Sequence, residues 1–212
     1  MDFTYFTTHQ SDVATQFGQH VELTVITLII AMAIAVPVGT LISRFPILYA
    51  PLMVLFGIIY TIPSLALLAF LVVYVGIGRT NAIIALVAYA QFILVRNVVV
   101  GLRNVDPIVI DAARGMGMSP LQIMLKIEYP LALPVILGGV RIAAVATIAV
   151  ATIAALIDAG GLGQLLFEGI NNGNNSEIEV GAAAVSLLAI LADVFLRVVD
   201  HFLPASRAGA TR

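Results

Sequence analysis

The sequence contains no cysteine and no tryptophan, and only 10% of its 212 residues are charged. The absence of cysteine excludes disulfide bonds, thiol nucleophiles and thiolate metal ligands. The low charge accompanies 61% hydrophobic residues and a mean hydropathy of +1.08, which together exclude a water-soluble globule with an ordinary charged surface. A net charge of −2 is too small to indicate nucleic acid as a partner. The composition is that of an integral membrane protein whose surroundings are the lipid bilayer.

Five apolar segments are long enough to cross a bilayer as helices, since a crossing needs about 20 apolar residues. They cover about residues 20–43, 49–75, 81–102, 131–157 and 178–203. Pro63 lies close to the middle of the second segment, where we expect a helix kink. The fourth segment is rich in glycine and alanine, which predicts close packing on more than one side, either within the subunit or against a second subunit. The sequence therefore predicts an all-α membrane protein with one transmembrane domain at residues 20–203.

Basic residues are distributed unequally between the two sides of these segments. Arg79 alone lies on the side of the loop at 158–179. The opposite side, with residues 106–130, holds Arg44, Arg96, Arg103, Arg114, Lys126, Arg207 and Arg212. Cytoplasmic loops are enriched in Lys and Arg. We therefore expect residues 1–19 to form an extracytoplasmic N-terminal segment, and residues 106–130 and the tail at 204–212 to be cytoplasmic.

Residues 106–130 are the one polar, helix-forming insert among the apolar segments. Asp-Pro at 106–107 and Ser-Pro at 119–120 are typical helix starts, and two glycines between them permit a sharp bend. The pattern predicts two short helices joined by a turn, with the second helix ending at Tyr129 and Pro130. From composition alone, the insert could dock on a protein or lie on the lipid surface as an amphipathic helix.

The spacing inside this insert resembles a known motif. Asp-Ala-Ala at 111–113, three residues, Gly117, nine residues, Ile127, one residue and Tyr129-Pro130 are similar to the Glu-Ala-Ala loop of ABC importer permeases, Glu-Ala-Ala-x3-Gly-x9-Ile-x-Leu-Pro. The sequence departs from this pattern at Asp111, where aspartate replaces glutamate, and at Tyr129, where tyrosine replaces leucine. In that family the loop is the coupling helix that enters a cleft of the ATPase subunit. The resemblance implies a coupling role for Asp111, Ala112, Ala113, Arg114, Gly115, Met116, Gly117, Met118, Ser119 and Pro120.

Segments 61–89, 105–120 and 154–170 further resemble permeases of type I ABC importers for osmoprotectants such as glycine betaine, carnitine or choline. Methionine and sulfonate importers have related cores, so a permease for another small solute, such as an amino acid, is the alternative. The resemblance implies a multi-pass protein of the bacterial or archaeal cytoplasmic membrane. It also implies three protein partners: a cytoplasmic ABC ATPase, a second identical or paralogous permease, and an extracytoplasmic solute-binding protein.

The chain lacks a Gly-x4-Gly-Lys-[Ser/Thr] phosphate loop, so we expect a non-catalytic permease without a cofactor, with ATP and Mg²⁺ on the partner ATPase. His9, His20 and His201 lie in the outer segment or at segment ends, where we expect surface positions and no metal site. A secondary transporter would normally show inverted repeats, and none is evident. An intramembrane protease would need a serine with a histidine, or paired aspartates, at mid-depth.

Polar or kinked positions inside the apolar segments are candidates for the translocation pathway. Pro63 leaves a carbonyl without its helical donor, which either marks a gate or is satisfied by Thr61 or Ser64. Arg141 lies at membrane depth, where a charge costs at least ~2.5 kcal/mol unless it is solvated or paired. It could line the pathway, or reach headgroups or Glu128. The pathway candidates are Tyr60, Thr61, Pro63, Ser64, Tyr89, Asn97 and Arg141.

Two further predictions concern the last segment and the outer loop. Asp193 and Arg197 are four residues apart, a spacing that predicts an ion pair on one helix face. The resemblance implies that the loaded binding protein docks on the outer side, where the loop at 158–179 is rich in glycine and asparagine. The candidates for that contact are Asp158, Gly160, Gly161 and Glu168.

Overall fold

A computed structural model describes residues 4–202, and all regular secondary structure in that range is helical. The ten α-helices of this range are α1 (Thr4–Thr8), α2 (Gln10–Arg44), α3 (Tyr49–Thr61), α4 (Ser64–Val75), α5 (Arg79–Arg103), α6 (Pro107–Gly115), α7 (Pro120–Ile123), α8 (Tyr129–Ala154), α9 (Gly163–Asn172) and α10 (Asn175–Phe202). The predicted tail at 204–212 lies outside the described residues. The all-α class is confirmed.

Within residues 4–202, four helices are long and apolar enough to cross a membrane: α2, α5, the continuous helix Pro120–Ile157 that contains α8, and α10. The helices α3 and α4 supply a fifth crossing if the bent pair counts as one span. The bend between them is 95°, so the kink predicted at Pro63 is in fact a break. Ile62 and Pro63 are both extended, with ψ values of 131° and 132°. The residue before a proline disfavours the helical conformation, and two extended residues redirect the chain.

The first membrane helix begins at Gln10 rather than near residue 20, so much of the predicted N-terminal segment belongs to α2. Its 35 residues span about 52 Å at ~1.5 Å per residue, well beyond the ~30 Å hydrocarbon core. The polar first turns therefore extend past the bilayer. The helix starts about ten residues before the apolar segment because polar residues without a proline do not stop a helix.

Two other segment ends differ from the prediction. The helix of residues 120–128 does not end at Tyr129 and Pro130 but continues into α8 through a π turn, in which Tyr129 N–H donates to Met124 O. Pro130 occupies the first turn of α8, where a missing N–H is tolerated. The loop at 158–179, predicted to be on the outer side, contains the helix α9, whose buried Leu165 packs into an apolar cluster with residues of α2, α8 and α10.

The helix α8 packs against α2, α5 and α10, which confirms contacts on several sides. Small residues bring the backbones together. A Cβ atom added to Gly139 of α8 would lie 2.4 Å from Cβ of Asn97 on α5, and one added to Gly39 of α2 would lie 2.6 Å from Cγ1 of Val98. Such close approach increases dispersion contact, the main attraction between helices in lipid.

His20 is fully buried, so its predicted surface position is wrong. Its Nε2 lies 3.1 Å from the carbonyl oxygen of Ile148 on α8. The next residue outward, Gln19, accepts a hydrogen bond from Gly161 N at 3.0 Å. His20 lies well inside α2 and is buried because the turn at Gly160 and Gly161 folds over it. His9 and His201 are exposed, as expected.

Candidate coupling and translocation sites

The predicted coupling insert forms two short helices with defined caps. Asp106 Oδ1 accepts a hydrogen bond from Ile108 N at 2.9 Å and caps α6. Ser119 and Gln122 form a reciprocal capping box at the start of α7, with bonds of 3.3 and 2.8 Å. Between the helices, Gly117 has a φ of +82°, a conformation that favours glycine. The insert is therefore an ordered structure.

One side of this insert is anchored and the other is exposed. Ala113 and Ile123 are buried, at 1% and 4% exposure. The opposite surface presents large apolar side chains to the outside, namely Ile108, Met116, Leu121 and Leu125. Asp111 and Arg114 pair with each other at 3.1 Å on the exposed side. An apolar surface flanked by charges is typical of a protein contact.

The insert is joined to the first membrane helix by side chains. Arg44, the last residue of α2, donates from both terminal nitrogens to the buried carboxylate of Glu128, with Nη1 3.1 Å from Oε1. Thr40 and Tyr129 are hydrogen-bonded through their hydroxyls one turn away. Glu128 is therefore the partner of Arg44, and of the alternatives left open for Arg141 its contact with Glu128 is not the one that the structure shows.

The break between α3 and α4 opens on a cavity of about 230 Å³, lined on one side by Tyr60, Ile62 and Ser64 and on the other by Tyr89 of α5 and Thr147 of α8. Tyr89 donates its hydroxyl to Ile62 O at 2.7 Å, so it satisfies a carbonyl at the break. Thr61 instead donates to Ile58 O at 2.8 Å.

Aromatic rings form one wall at this break. The ring of Tyr60 lies edge-on to Tyr89, with centroids 6.1 Å apart, and stacks on Phe92 at 5.3 Å. These contacts hold the ring of Tyr60 beside the cavity although the residue is partly exposed. The structure thus brings the predicted pathway residues Tyr60, Ser64 and Tyr89 to one cavity.

A second, larger cavity of about 790 Å³ lies beside it and is lined by Asn97, Arg141 and Asp193 together with small and apolar residues. Arg141 donates from Nε and Nη2 to Oδ1 of Asp193 at 3.0 and 2.9 Å. The predicted pair of Asp193 with Arg197 is confirmed, with Arg197 Nε 2.7 Å from Oδ2. The partner of Arg141 is 52 residues away, on another helix, and sequence spacing alone did not indicate it.

The predicted binding-protein contacts lie in different environments at the end of the bundle opposite α6 and α7. Asp158 and Glu168 are exposed, and Asp158 adopts a left-handed conformation with a φ of 60°. Gly160 and Gly161 instead close onto α2: a Cβ on Gly160 would lie 2.6 Å from Gln19 Oε1. The acidic residues are thus available for contact, whereas the glycines serve the turn.

The N-terminal helix α1 lies at the same end of the bundle. Tyr5 N donates to Ser176 Oγ at 3.1 Å and so fixes α1 against the start of α10. Burial, together with the nearby Glu177 carboxylate, raises the pKa of the Tyr5 hydroxyl to about 12. No group of three His, Asp or Glu side chains suited to a metal ion occurs within residues 4–202.

Comparison with known proteins gives a consistent result. Residues 28–205 match the family described as "Binding-protein-dependent transport system inner membrane component". The chain is 37% identical to the carnitine transport permease protein OpuCB of Listeria monocytogenes over 200 residues, 94% of this chain and 92% of that one. It is 36% identical to the choline transport system permease protein OpuBB of Bacillus subtilis over 185 residues, 87% of this chain and 85% of that one.

Among solved structures, the fold is similar to that of a chain of the MetNI methionine ABC transporter in an inward-facing conformation. The TM-score is 0.82 at 24% identity, over 92% of this chain and 97% of that one. At that identity the likeness concerns the fold alone. The sequence match over most of its length shows that this chain belongs to the family of inner membrane components of binding-protein-dependent transport systems.

Proposed function

We propose that this chain is the permease of an ATP-driven importer for small quaternary ammonium solutes, with α6 and α7 as the element that docks on a cytoplasmic ATPase. The observation that carries the proposal is the arrangement of residues 106–130. The spacing of the coupling motif coincides with a capped helix pair that is anchored on one side and apolar on the other. The permease contributes the route, and the ATPase contributes hydrolysis.

The distribution of charge supports a cytoplasmic position for this element. Arg44, Arg103 and Arg114 lie at the end of the bundle that carries α6 and α7, where Arg103 also donates to Ile42 O at 3.0 Å. The opposite end carries Glu168 and Asp158, and its Arg79 is paired with Glu22 at 2.9 Å. By the preference of basic residues for the cytoplasmic side, the N-terminus is outside and α6 and α7 are inside.

Contacts of the coupling insert with α2 and α8 would transmit its movement to the membrane helices. A displacement of the insert by the ATPase would be transmitted to α2 through Arg44 and Glu128, and to α8 directly, because Pro120–Ile157 is one continuous helix. Both helices pack on α5, which carries Tyr89 and Asn97. Rocking of these helices would open the cavities to one side or the other, as in alternating access.

The solute class follows from the named relatives and from the chemistry of the cavity at the break. The relatives transport carnitine and choline, which share a quaternary ammonium group. Such a group donates no conventional hydrogen bond and is attracted to aromatic faces, here those of Tyr60 and Tyr89. The cavity of about 230 Å³ lies below the ~300–1,000 Å³ of drug-sized pockets, so it suits a small solute.

The proposal includes two further protein partners, a solute-binding protein and a second permease subunit. A solute-binding protein would dock at the outer end, where Asp158 and Glu168 are exposed and α1 is fixed to α10. A second permease subunit would cover the face of α8 that carries the exposed Ile142 and Val145. The pathway then lies between two subunits, because both cavities are open at the surface of one chain.

The absence of cysteine permits a direct test of orientation and docking. Met116→Cys is placed on the exposed side of the coupling insert and Glu168→Cys on the outer surface. In intact cells a membrane-impermeant thiol reagent should label Glu168→Cys, whereas Met116→Cys should react only after permeabilisation. A bifunctional crosslinker should join Met116→Cys to the ATPase and should leave Glu168→Cys unlinked. The reverse labelling pattern would contradict the proposed orientation.

The solute is tested by uptake into proteoliposomes that contain the permease, its ATPase and its binding protein. We expect ATP-dependent accumulation of at least one of glycine betaine, carnitine and choline, with methionine as the alternative solute. Asp111→Lys, which reverses an exposed charge beside Arg114, should lower uptake while the protein remains folded. Uptake of methionine alone would contradict the proposed solute class and leave the coupling role in place.

A further inference from the structure

The ion-pair cluster between α8 and α10 carries more positive than negative charge. Arg141 donates twice to Oδ1 of Asp193, and Arg197 donates once to Oδ2. Two guanidinium groups on one carboxylate leave a formal charge of +1 on these three side chains. Arg197 belongs to the same helix as Asp193 and pairs with it at i,i+4, whereas Arg141 reaches the carboxylate from α8. A surplus charge at membrane depth is costly unless water or an anion meets it.

The two arginines differ in position. Arg197 is 64% exposed and does not line the cavity of about 790 Å³, whereas Arg141 is 27% exposed and does. A guanidinium has five N–H donors. Those of Arg141 at Nε and Nη2 point to Asp193, and its Nη1 meets no acceptor within residues 4–202. The side chain is thus held in place by Asp193 at the wall of the cavity, and Nη1 is left without an acceptor among the described residues.

The cavity of Arg141 adjoins the aromatic one. Ala146 lines both. On α5, Ile93 lines the aromatic cavity and Asn97 the other, and four residues of helix correspond to about 6 Å. One short stretch of the α5–α8 groove therefore presents an aromatic, uncharged end and a guanidinium end. This matches a small solute that carries a quaternary ammonium at one end and a carboxylate at the other.

We infer that Arg141 is a specificity-determining residue of the pathway, which receives the carboxylate of a zwitterionic quaternary ammonium solute while its cationic end lies beside Tyr60 and Tyr89. This inference rests on the proposed function and deepens it. A guanidinium is well suited to the planar carboxylate group. A solute with a hydroxyl in place of the carboxylate gains nothing from Arg141, and its own positive charge is repelled.

The test is equilibrium binding of radiolabelled glycine betaine and choline to the purified permease–ATPase complex in nanodiscs. We expect the wild-type complex to bind glycine betaine more tightly than choline. Arg141→Gln should weaken glycine betaine binding about tenfold or more, the loss expected for a charge-assisted hydrogen bond, and should leave choline binding unchanged or slightly tighter because the repulsion is removed. Arg197 still balances Asp193 in this variant. Arg197→Gln is the matched control, because it removes the other guanidinium, and it should preserve the preference.

The inference would be overturned if Arg141→Gln weakened the binding of both solutes equally, or if Arg197→Gln weakened glycine betaine binding as much as Arg141→Gln does. The cluster would then serve only to hold α8 and α10 together. A wild-type complex without preference for glycine betaine would also overturn it. If Arg141→Gln does not fold, Arg141→Met gives the same readout, because Asp193 keeps its ion pair with Arg197 in that variant. Failure of the wild-type complex to take up any of glycine betaine, carnitine and choline would refute the proposed solute class instead.

Discussion

The contact of α8 with α5 at Gly139 provides a quantitative test of the packing that positions both cavities. A Cβ atom at Gly139 would lie 2.4 Å from Cβ and 2.6 Å from Cγ of Asn97. Carbon atoms prefer a separation of about 3.5–4.0 Å, so Gly139→Ala must displace Asn97 or separate the helices by about 1 Å. Overpacking of this kind costs about 1–3 kcal/mol. We therefore expect Gly139→Ala to lower the free energy of unfolding relative to a matched control.

The neighbouring residue is that control. A Cβ on Gly138 would meet no atom within 4 Å. Both variants gain the same helix propensity, about 1 kcal/mol per glycine replaced by alanine, so their difference isolates the overpacking. At about 2–4 °C per kcal/mol for a chain of this size, the Tm of Gly139→Ala should be about 2–12 °C below that of Gly138→Ala. The assay is thermal unfolding in nanodiscs. Equal Tm values for the two variants would refute the α5–α8 contact described above.

Two further predictions concern the ends of the bundle. Arg44→Gln removes the guanidinium from the buried carboxylate of Glu128 and should lower the free energy of unfolding by about 1–3 kcal/mol, towards the lower value because Arg44 is 47% exposed. Adding Glu128→Gln should recover most of that loss. Additive losses in the double variant would contradict the pairing. At the outer end, the raised pKa means that the neutral form of Tyr5 favours folding below about pH 10, and that this contribution is lost as the pH rises towards about 12. The tyrosinate absorbance difference between wild type and Tyr5→Phe should show a midpoint near pH 12, and a midpoint near 10 would contradict the burial of the Tyr5 hydroxyl beside Glu177.

Local signals in the sequence were informative about the coupling insert. Helix caps and tight turns form hydrogen bonds among residues no more than about four positions apart, so the Asp-Pro and Ser-Pro starts and Gly117 predicted two short helices and a turn. The same reasoning predicted the pair of Asp193 with Arg197. It was wrong at Pro130, because a proline that follows a π turn and enters the first turn of a helix does not end it. The prediction of a kink at Pro63 was also too weak, because Ile62 and Pro63 both have extended ψ angles and the helix is broken there.

Hydropathy located the membrane segments and missed the helices outside them. The first turns of α2 and the whole of α9 are more polar, and nothing in a hydropathy profile distinguishes a helix that extends past the bilayer from a loop. His20 was placed at the surface for the same reason. Its burial depends on Gly161 and Gln19 closing the outer turn over α2, which is a contact between residues about 140 positions apart.

Composition and local pattern by themselves determined that this chain is an all-helical membrane protein with a capped insert between its third and fourth apolar segments, because those properties depend on each residue and its near neighbours. Only the tertiary structure decided which polar groups meet at membrane depth. The pairing of Arg141 with Asp193, of Arg44 with Glu128 and of Tyr89 with the carbonyl of Ile62 depends on how the helices are rotated and packed. Helix rotation is set by the close contacts of small residues such as Gly139, and these contacts link parts of the chain that are distant in sequence.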